Sequence, residues 1–486
     1  MWKNRKISNF LIGLPMKPIY PLHNIFLFAK RFLNSATKFI FKNVSLHRGY
    51  FVRAILIGLA ISVAVTTLAW LGQFKPYQNP LTNLLHFMTQ KKAHDVVLLF
   101  ITQEEYKKGF HGISPLSRGR LAELVNLMVK LKAKVIALDI DLSDPSSEDR
   151  KLSEAMDHAS AAGIPIVMVG NLITIEDQPR TKDDSSFNLR PYADENLHTT
   201  KDGFLLFEGV NPGSQWVDKV IYGETFFRLD NDWVFRMADG FYMIKNNDLR
   251  EKLPHLPVPS FPVAVAAAYQ GMSQEALTEA LLNIQDNKII LSNPRKNHRD
   301  DIYIHMVRGD RFIPNFIGNY EHFDREVNLN HLLEEYRSDK VERETIFKDK
   351  IVIIGGTFDK KDFHMTPVGW MSGMEILANI TQSIINGSLI TPASFWKAFV
   401  IQVILGSAVA LIFILFSRLW ATIICLLALV PGVAIASLWS FSSSHYWFDF
   451  VPTIFGVMLY GQISKAEEVF KKMKYKLKTR LGKRKS

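Results

Sequence analysis

Apolar runs of strand length alternate with apolar positions at helical spacing over much of the chain. Residues 95–102, DVVLLFIT, and 134–140, KVIALDI, read as strands, and between them Leu121, Leu124, Val125, Met128, Val129 and Leu131 recur at three and four. This predicts a β-α-β unit with parallel strands and a right-handed crossover. A third strand is expected at 165–170, PIVMVG, after a helix over about 148–161 capped by Ser146 or Ser147. A fourth is expected at 350–356, KIVIIGG, followed by a helix over 374–387 that ends at Gly387. Strands apolar along their whole length argue for an α/β fold, a parallel or mixed sheet with helices on both faces. The middle is less regular. Residues 172–202 are polar and charged, as in a long loop or insertion, and 204–237 alternate aromatic and polar positions as antiparallel strands do. Helices are expected at 261–270 and 273–284, and no internal repeat is found.

Longer apolar runs frame this region. Residues 54–70, with Phe51, Val52, Leu71 and Phe74, reach the roughly 20 residues that cross a bilayer. The run reads as an uncleaved anchor: about 50 residues precede it and no A-x-A-like site follows, unlike a signal peptide. Three more runs lie at 398–416, 420–439 and 446–463, the second interrupted by Pro431 and Gly432, which membrane helices tolerate, and the last the shortest. The expected organisation is a basic segment 1–50, a span at 51–74, a domain at 75–395, three spans within 396–464 and a basic tail at 465–486.

The charge is +11, with 48% apolar residues, which excludes a disordered chain. Residues 1–53 hold ten Lys/Arg and no acid, and 465–486 hold ten against Glu467 and Glu468. Charges of +10 and +8 at the ends leave −7 for residues 54–464. A nucleic-acid partner therefore loses its support, and no base-reading groups are evident. With four spans, the basic ends and Arg418 fall on one side, so Lys/Arg bias places both termini in the cytoplasm, residues 75–395 outside, and the chain in the plasma membrane as a multi-pass protein. The basic ends also suit anionic lipid. In residues 25–40, Ile25, Phe28, Phe32, Ala36 and Phe39 share a helical face opposite Lys30, Arg31, Lys38 and Lys42, as in an interfacial helix. In the tail Ile463, Ala466, Phe470, Met473 and Leu477 repeat at three and four, either the seam of a coiled coil or the apolar side of a helix on lipid. The 22 residues after Ser464 are too few for a kinase, cyclase or receiver domain, so output through a separate partner is expected. The single cysteine, Cys425, excludes an intramolecular disulfide framework and Cys-rich metal sites.

Candidate chemistry is sparse. GGTFDKK, at 355–361, departs from the phosphate-loop pattern, and the glycine pair reads as a tight turn. Asp139, Asp141 and Asp144 fall at or beyond the carboxyl end of the second strand, where open α/β sheets bind ligands. They could hold a hard cation, or cap loops and pair with Arg118 or Lys134. Asp362 and His364, with Glu375, have zinc-ligand residue types in a poor pattern. No GxSxG or HExxH occurs, so no enzyme and no cofactor is expected. Asp449 reads as an interfacial residue of the last span.

The segments DVVLLFIT, SPLSRGRLAELV, KVIALDIDLSDPSSEDRKLSEAM, NDWVFRM and, above all, KDKIVIIGGTFDKKDFHMTPVGWMSGMEILANITQSIING resemble the CHASE2 family, the extracytoplasmic sensory module of bacterial receptors. The resemblance covers roughly residues 75–395, and one span before with three after also resembles that family. It implies a sensor of a ligand or envelope condition, with Arg118, Asp139, Asp362, Thr366 and Glu375 organising the site or its fold. Two departures stand out. Thr102 and Gln103 follow the first strand where the family typically has an acid, and Ser114–Ser117 replace a Trp/Pro-rich stretch. Family members usually carry a cytoplasmic output domain; none is expected here, so an unidentified signalling partner is implied. A structural or scaffolding subunit of an envelope complex is the alternative, a metal-dependent membrane hydrolase a third reading. A homo-oligomer is compatible with each.

Overall fold

The computed structural model describes residues 48–112, 115–173, 204–211, 213, 215–245, 255–293, 300–307, 309–326, 329–338, 344–357 and 362–482. The amphipathic helix expected at 25–40 and most of the polar stretch 172–202 lie outside the described residues. Two compact units form, a helical one of residues up to 74, 395–434 and from 450 on, and an α/β one of 75–394 and 435–449.

In the helical unit α1 (Arg48–Trp70) precedes the α/β region. The α/β unit then begins with α2 (Lys75–Met88) and continues through β1 (Val96–Ile101), α3 (Gln103–Lys108), α4 (Arg118–Lys130), β2 (Val135–Asp139), α5 (Asp149–Ala161) and β3 (Ile166–Ile173). Strands β4 (Gly209–Asn211) and β5 (Ile221–Glu224), helices α6 (Phe261–Gln270) and α7 (Gln274–Leu282), strand β6 (Asp324–Glu326) and helix α8 (Leu329–Arg337) follow. The unit closes with β7 (Ile351–Gly356), the hairpin β8 (Phe363–Thr366) and β9 (Gly369–Ser372), and α9 (Gly373–Ile385).

Among the described residues a seven-stranded sheet runs β6-β1-β7-β2-β3, with β4 and β5 both pairing β3. All pairings are parallel except β3 with β4. Successive strand side chains point to opposite faces, and here both faces are buried. Val96, Leu98, Phe100, Val135, Ala137, Ile351 and Ile353 pack under α6 and α9. Val97, Leu99, Ile101, Ile136, Leu138, Val352 and Ile354 pack under α4, α5 and α8. Burying each such side chain stabilises by about 1.5–3 kcal/mol, which is why these strands read as unbroken apolar runs. Helix α6 lies inside this core, apolar and buried nearly all round.

Three expectations change. The aromatic alternation at 204–237 yields only one short strand antiparallel to β3, while β5 joins the sheet parallel to it. A period of two reports a face, not a direction. Helix α5 is capped by neither Ser146 nor Ser147: its N-cap is Glu148, whose carboxylate instead bonds Ser117 Oγ (2.7 Å) and Gly119 N (3.0 Å). The glycines 355–356 make no turn. They end β7 opposite Phe100 and Ile101, and a Cβ on Gly355 would lie 2.8 Å from Met374 Sδ and 3.1 Å from Asp139 Cβ. Close approach demands the glycine.

The helical unit adds α10 (Phe395–Leu415), the first part of α11 (Arg418–Ser444) and α12 (Val451–Gly482). Among the described residues three helices are long and apolar enough to cross a membrane: Val52–Trp70, Phe395–Leu415 and Arg418–Ser444. The fourth expected run, 446–463, begins differently. Tyr446 and Trp447 pair with Thr391 and Pro392, and helix starts only at Val451. Its apolar part ends at Lys465, short of the roughly 30 Å hydrocarbon thickness. Pro431 does not break α11; a π-helical turn at Cys425–Leu429 absorbs the missing donor and the ring's crowding of the preceding turn. Helices α1 and α10 cross closely, a Cβ on Gly58 lying 2.9 Å from Gly406 O and one on Gly406 2.2 Å from Ser62 Oγ. Ser62 donates to Gly58 O and Gln402 O, both at 2.8 Å. Gln402 in turn donates to Thr453 Oγ1 on α12 (3.1 Å).

Candidate functional site

After β1 and β2 the chain passes to α4 and α5 on one face of the sheet, and after β7 to α9 on the other. Because β7 lies between β1 and β2, the chain leaves neighbouring strands towards opposite faces at the carboxyl edge, the kind of position where open α/β sheets bind ligands. Asp139 ends β2 beside Gly355, and Asp362 lies at the start of α9.

Asp139 and Asp362 are brought together. Burial, and then the Asp362 carboxylate, push the Asp139 carboxyl up to about 7, so Asp139 is about half protonated near neutrality. Asp362 Oδ2 accepts from Gly373 N (3.1 Å), placing its charge on the positive end of α9. His364 Nε2 lies 3.3 Å from Asp362 Oδ1, its ring against Phe227 at 5.1 Å. The edge thus presents a titratable carboxyl, an anchored carboxylate and an imidazole, a set that can bind a small cationic or hydrogen-bonding group. Among the described residues no three or more His, Cys, Asp or Glu gather to hold a metal. Asp141 turns into its own loop: although partial burial opposes it, hydrogen bonds from Ser143 and Asn171 hold its carboxyl below the usual range.

Arg118, Thr366 and Glu375 are not part of this cluster. Arg118 is fully buried and donates to Leu116 O (3.2 Å), Asp144 O (2.9 Å) and Asp149 Oδ1 (3.3 Å), tying α4 to the loop before α5. Its partners are therefore a carbonyl of Asp144 and the Asp149 carboxylate, and Lys134 lies over the Tyr269 ring. Thr366 closes the β8–β9 turn, donating to Gly369 O (2.7 Å). Glu375 forms a capping box with Ser372 at the start of α9 and accepts from Tyr320 N (2.7 Å).

Glu375 is the first rung of a ladder that sequence reasoning missed. Asn379, one turn on, accepts from Ile317 N (2.8 Å) and Gly318 N (3.4 Å) and donates to Gly318 O (2.9 Å). Ser383, another turn on, donates to Asn315 O (2.8 Å). All three are buried, and together they strap residues 315–320 along α9. The strap ends on Phe316, which meets the His86 ring of α2 edge-on at 5.7 Å, and His86 meets Phe441 at 4.9 Å. Burial, then the charge of Arg236, lower the His86 pKa to about 3, so the ring is neutral. Arg236 also holds α2 through Asn83 (2.9 Å), while Phe235 N donates to Met365 O of the hairpin (2.7 Å). The signal in the sequence was polar residues spaced four apart at 375, 379 and 383 on a largely apolar helix.

Two further residues have roles that the sequence did not assign. Thr102, the departure from the family pattern, caps α3 in a box with Glu105, whose other oxygen accepts from Leu329 N. The sequence spells this as T-Q-E-E. Glu224, at the end of β5, is buried beside Ser260, and neither Glu224 Oε1 nor Ser260 Oγ finds a partner. Burial pushes its carboxyl up to about 8.

The family model described as the CHASE2 domain matches residues 59–417. Neither a search of curated proteins nor one of solved structures gave a significant match.

Proposed function

The chain belongs to the CHASE2 domain family, and from that premise we propose that it is a plasma-membrane sensor of bacterial type. Its α/β unit faces the extracytoplasmic side, responds to a ligand or envelope condition at the Asp139–Asp362 edge, and signals through a separate partner. The observation that carries this reading is the strap. The helix whose first turn holds Asp362 is bonded at Glu375, Asn379 and Ser383 to residues 315–320, and these press on α2, which follows α1 after residues 71–74. A ligand at the edge shifts this arrangement only by binding its two states with different affinity. No catalytic step belongs to the reading.

Four crossings are supported by the course of α12. Phe455 stacks on Phe74 at 4.6 Å, Tyr460 meets Phe413 at 4.9 Å, and Glu467 pairs with Arg53 at 2.9 Å. Helix α12 therefore accompanies α1 from one end to the other, its shortened apolar stretch shielded by neighbours. An even number of crossings puts the basic ends and Arg418 on one side. A reporter fused at residue 200 should read as extracytoplasmic and one at 486 as cytoplasmic; a cytoplasmic result at 200 overturns the sensory reading.

A scaffolding role in an envelope complex is favoured by one feature: Arg118, Thr366 and Glu375 are engaged by their own fold, and Thr102 is a helix cap. Recovery of stoichiometric membrane partners together with unaltered behaviour of Asp362→Asn would select it.

A further inference from the structure

We propose that the exposed stripe of α12 beyond the membrane, Phe470, Met473 and Leu477, is the docking face for an acidic amphipathic helix of a cytoplasmic protein. This rests on the reading that residues 465–486 are cytoplasmic. Helix α12 runs unbroken for 32 residues, about 48 Å against the roughly 30 Å of hydrocarbon. No Gly or Pro occurs from 462 to 481, so nothing bends the helix down onto the bilayer surface. Measured along the helix from Val451, Met473 and Leu477 lie about 33 and 39 Å away, past that thickness, and the stripe is exposed, Phe470 67% and Leu477 61%. With Ile463 and Ala466 these residues keep the three-and-four spacing of a helix-pairing seam.

Charge selects the occupant. Both acids of the tail are taken up at its base, Glu467 by Arg53 (2.9 Å) and Glu468 by Arg418 (3.1 Å) and Lys472 (2.7 Å). Beyond them the chain holds only Lys and Arg among its charged residues. By helical spacing, position 476 borders one side of the stripe and 474 the other, both lysine. A second copy laid alongside would set these lysines against each other, whereas a helix with apolar seam positions and Glu or Asp flanking them meets both the stripe and its borders.

The test uses the full chain in nanodiscs of neutral phosphatidylcholine, titrated with a labelled peptide of four heptads carrying Leu at the seam and Glu beside it. A permuted peptide of the same composition, its leucines off the seam, is the control. The heptad peptide should bind at least about tenfold more tightly than the permuted one, and the exposed double variant F470S/M473S should abolish the difference. Equal binding of the two peptides overturns the proposal, since charge alone then suffices. So does a tail-mediated dimer, read as a Phe470→Cys disulfide that forms readily and blocks the peptide, or an environment-sensitive dye at Met473→Cys that is buried whenever anionic lipid is added. Sidedness is read separately with an impermeant maleimide on Phe470→Cys. Labelling in intact cells overturns the cytoplasmic placement while leaving the nanodisc result to report on the face itself; protection there, with labelling of inverted vesicles, supports it.

Discussion

Two carboxyl groups of the α/β unit, Asp139 and Glu224, are carried near or above neutrality by what surrounds them. For both, the folded pKa exceeds the unfolded one, so stability is full at low pH, where both states are protonated. It declines as pH rises towards the folded value, because the unfolded chain ionises first. For Glu224 the interval from 4.5 to about 8 corresponds to a loss of roughly 3 kcal/mol by pH 7. Glu224→Gln should therefore raise the Tm at pH 8 and leave it unchanged at pH 4; a Tm difference independent of pH would contradict the buried-acid account. Asp139→Asn should likewise stabilise above pH 7, whereas Asp362→Asn should cost about 1 kcal/mol at any pH above the usual carboxylate range, through the weakened cap on Gly373. Of the five residues singled out beforehand, only Asp139 and Asp362 meet. Strand alternation and the carboxyl-edge rule locate Asp139, but a side chain such as Arg118, fully buried and satisfied by two carbonyls and a carboxylate, looks the same in sequence as one awaiting a ligand.

Among the elements, the four central strands were legible to within a residue at most ends because burial on both faces leaves a run no polar position can interrupt. Helix α9 was legible from its apolar positions and its end at Gly387, yet what it holds depends on polar positions among them, Glu375, Asn379 and Ser383. Asn379→Ala should destabilise by about 2–4 kcal/mol, since it leaves backbone groups of 317 and 318 buried without partners. Hydrogen exchange should quicken at 315–320 and not at β2; a uniform change across the unit would mean the strap is not a local element. The short strands at 204–245 were illegible because their partners lie far away in sequence, and pairing direction is set by those partners rather than by local pattern.

At the scale of the whole chain, apolar runs anticipated the order of long apolar helices and α/β segments but not the length of the last helix, which touches α1 and α10 through Tyr460. The close crossing of α1 and α10 yields a matched pair of variants. Gly406→Val should lower the Tm of the assembled protein by several degrees, while Gly432→Val, whose added Cβ meets nothing within 4 Å, should be neutral. Equal effects would show that helix propensity, not the crossing, is responsible. The strap along α9 has a last consequence for how such a protein answers its stimulus. Rungs four residues apart advance about 6 Å and turn about 40° along the helix at each step. The segment 315–320 can therefore neither creep along the axis nor rotate about it by a small amount and keep its bonds. It stays locked or releases several at once, so on the proposed sensory reading the response would have a threshold below which weak stimuli pass unrecorded.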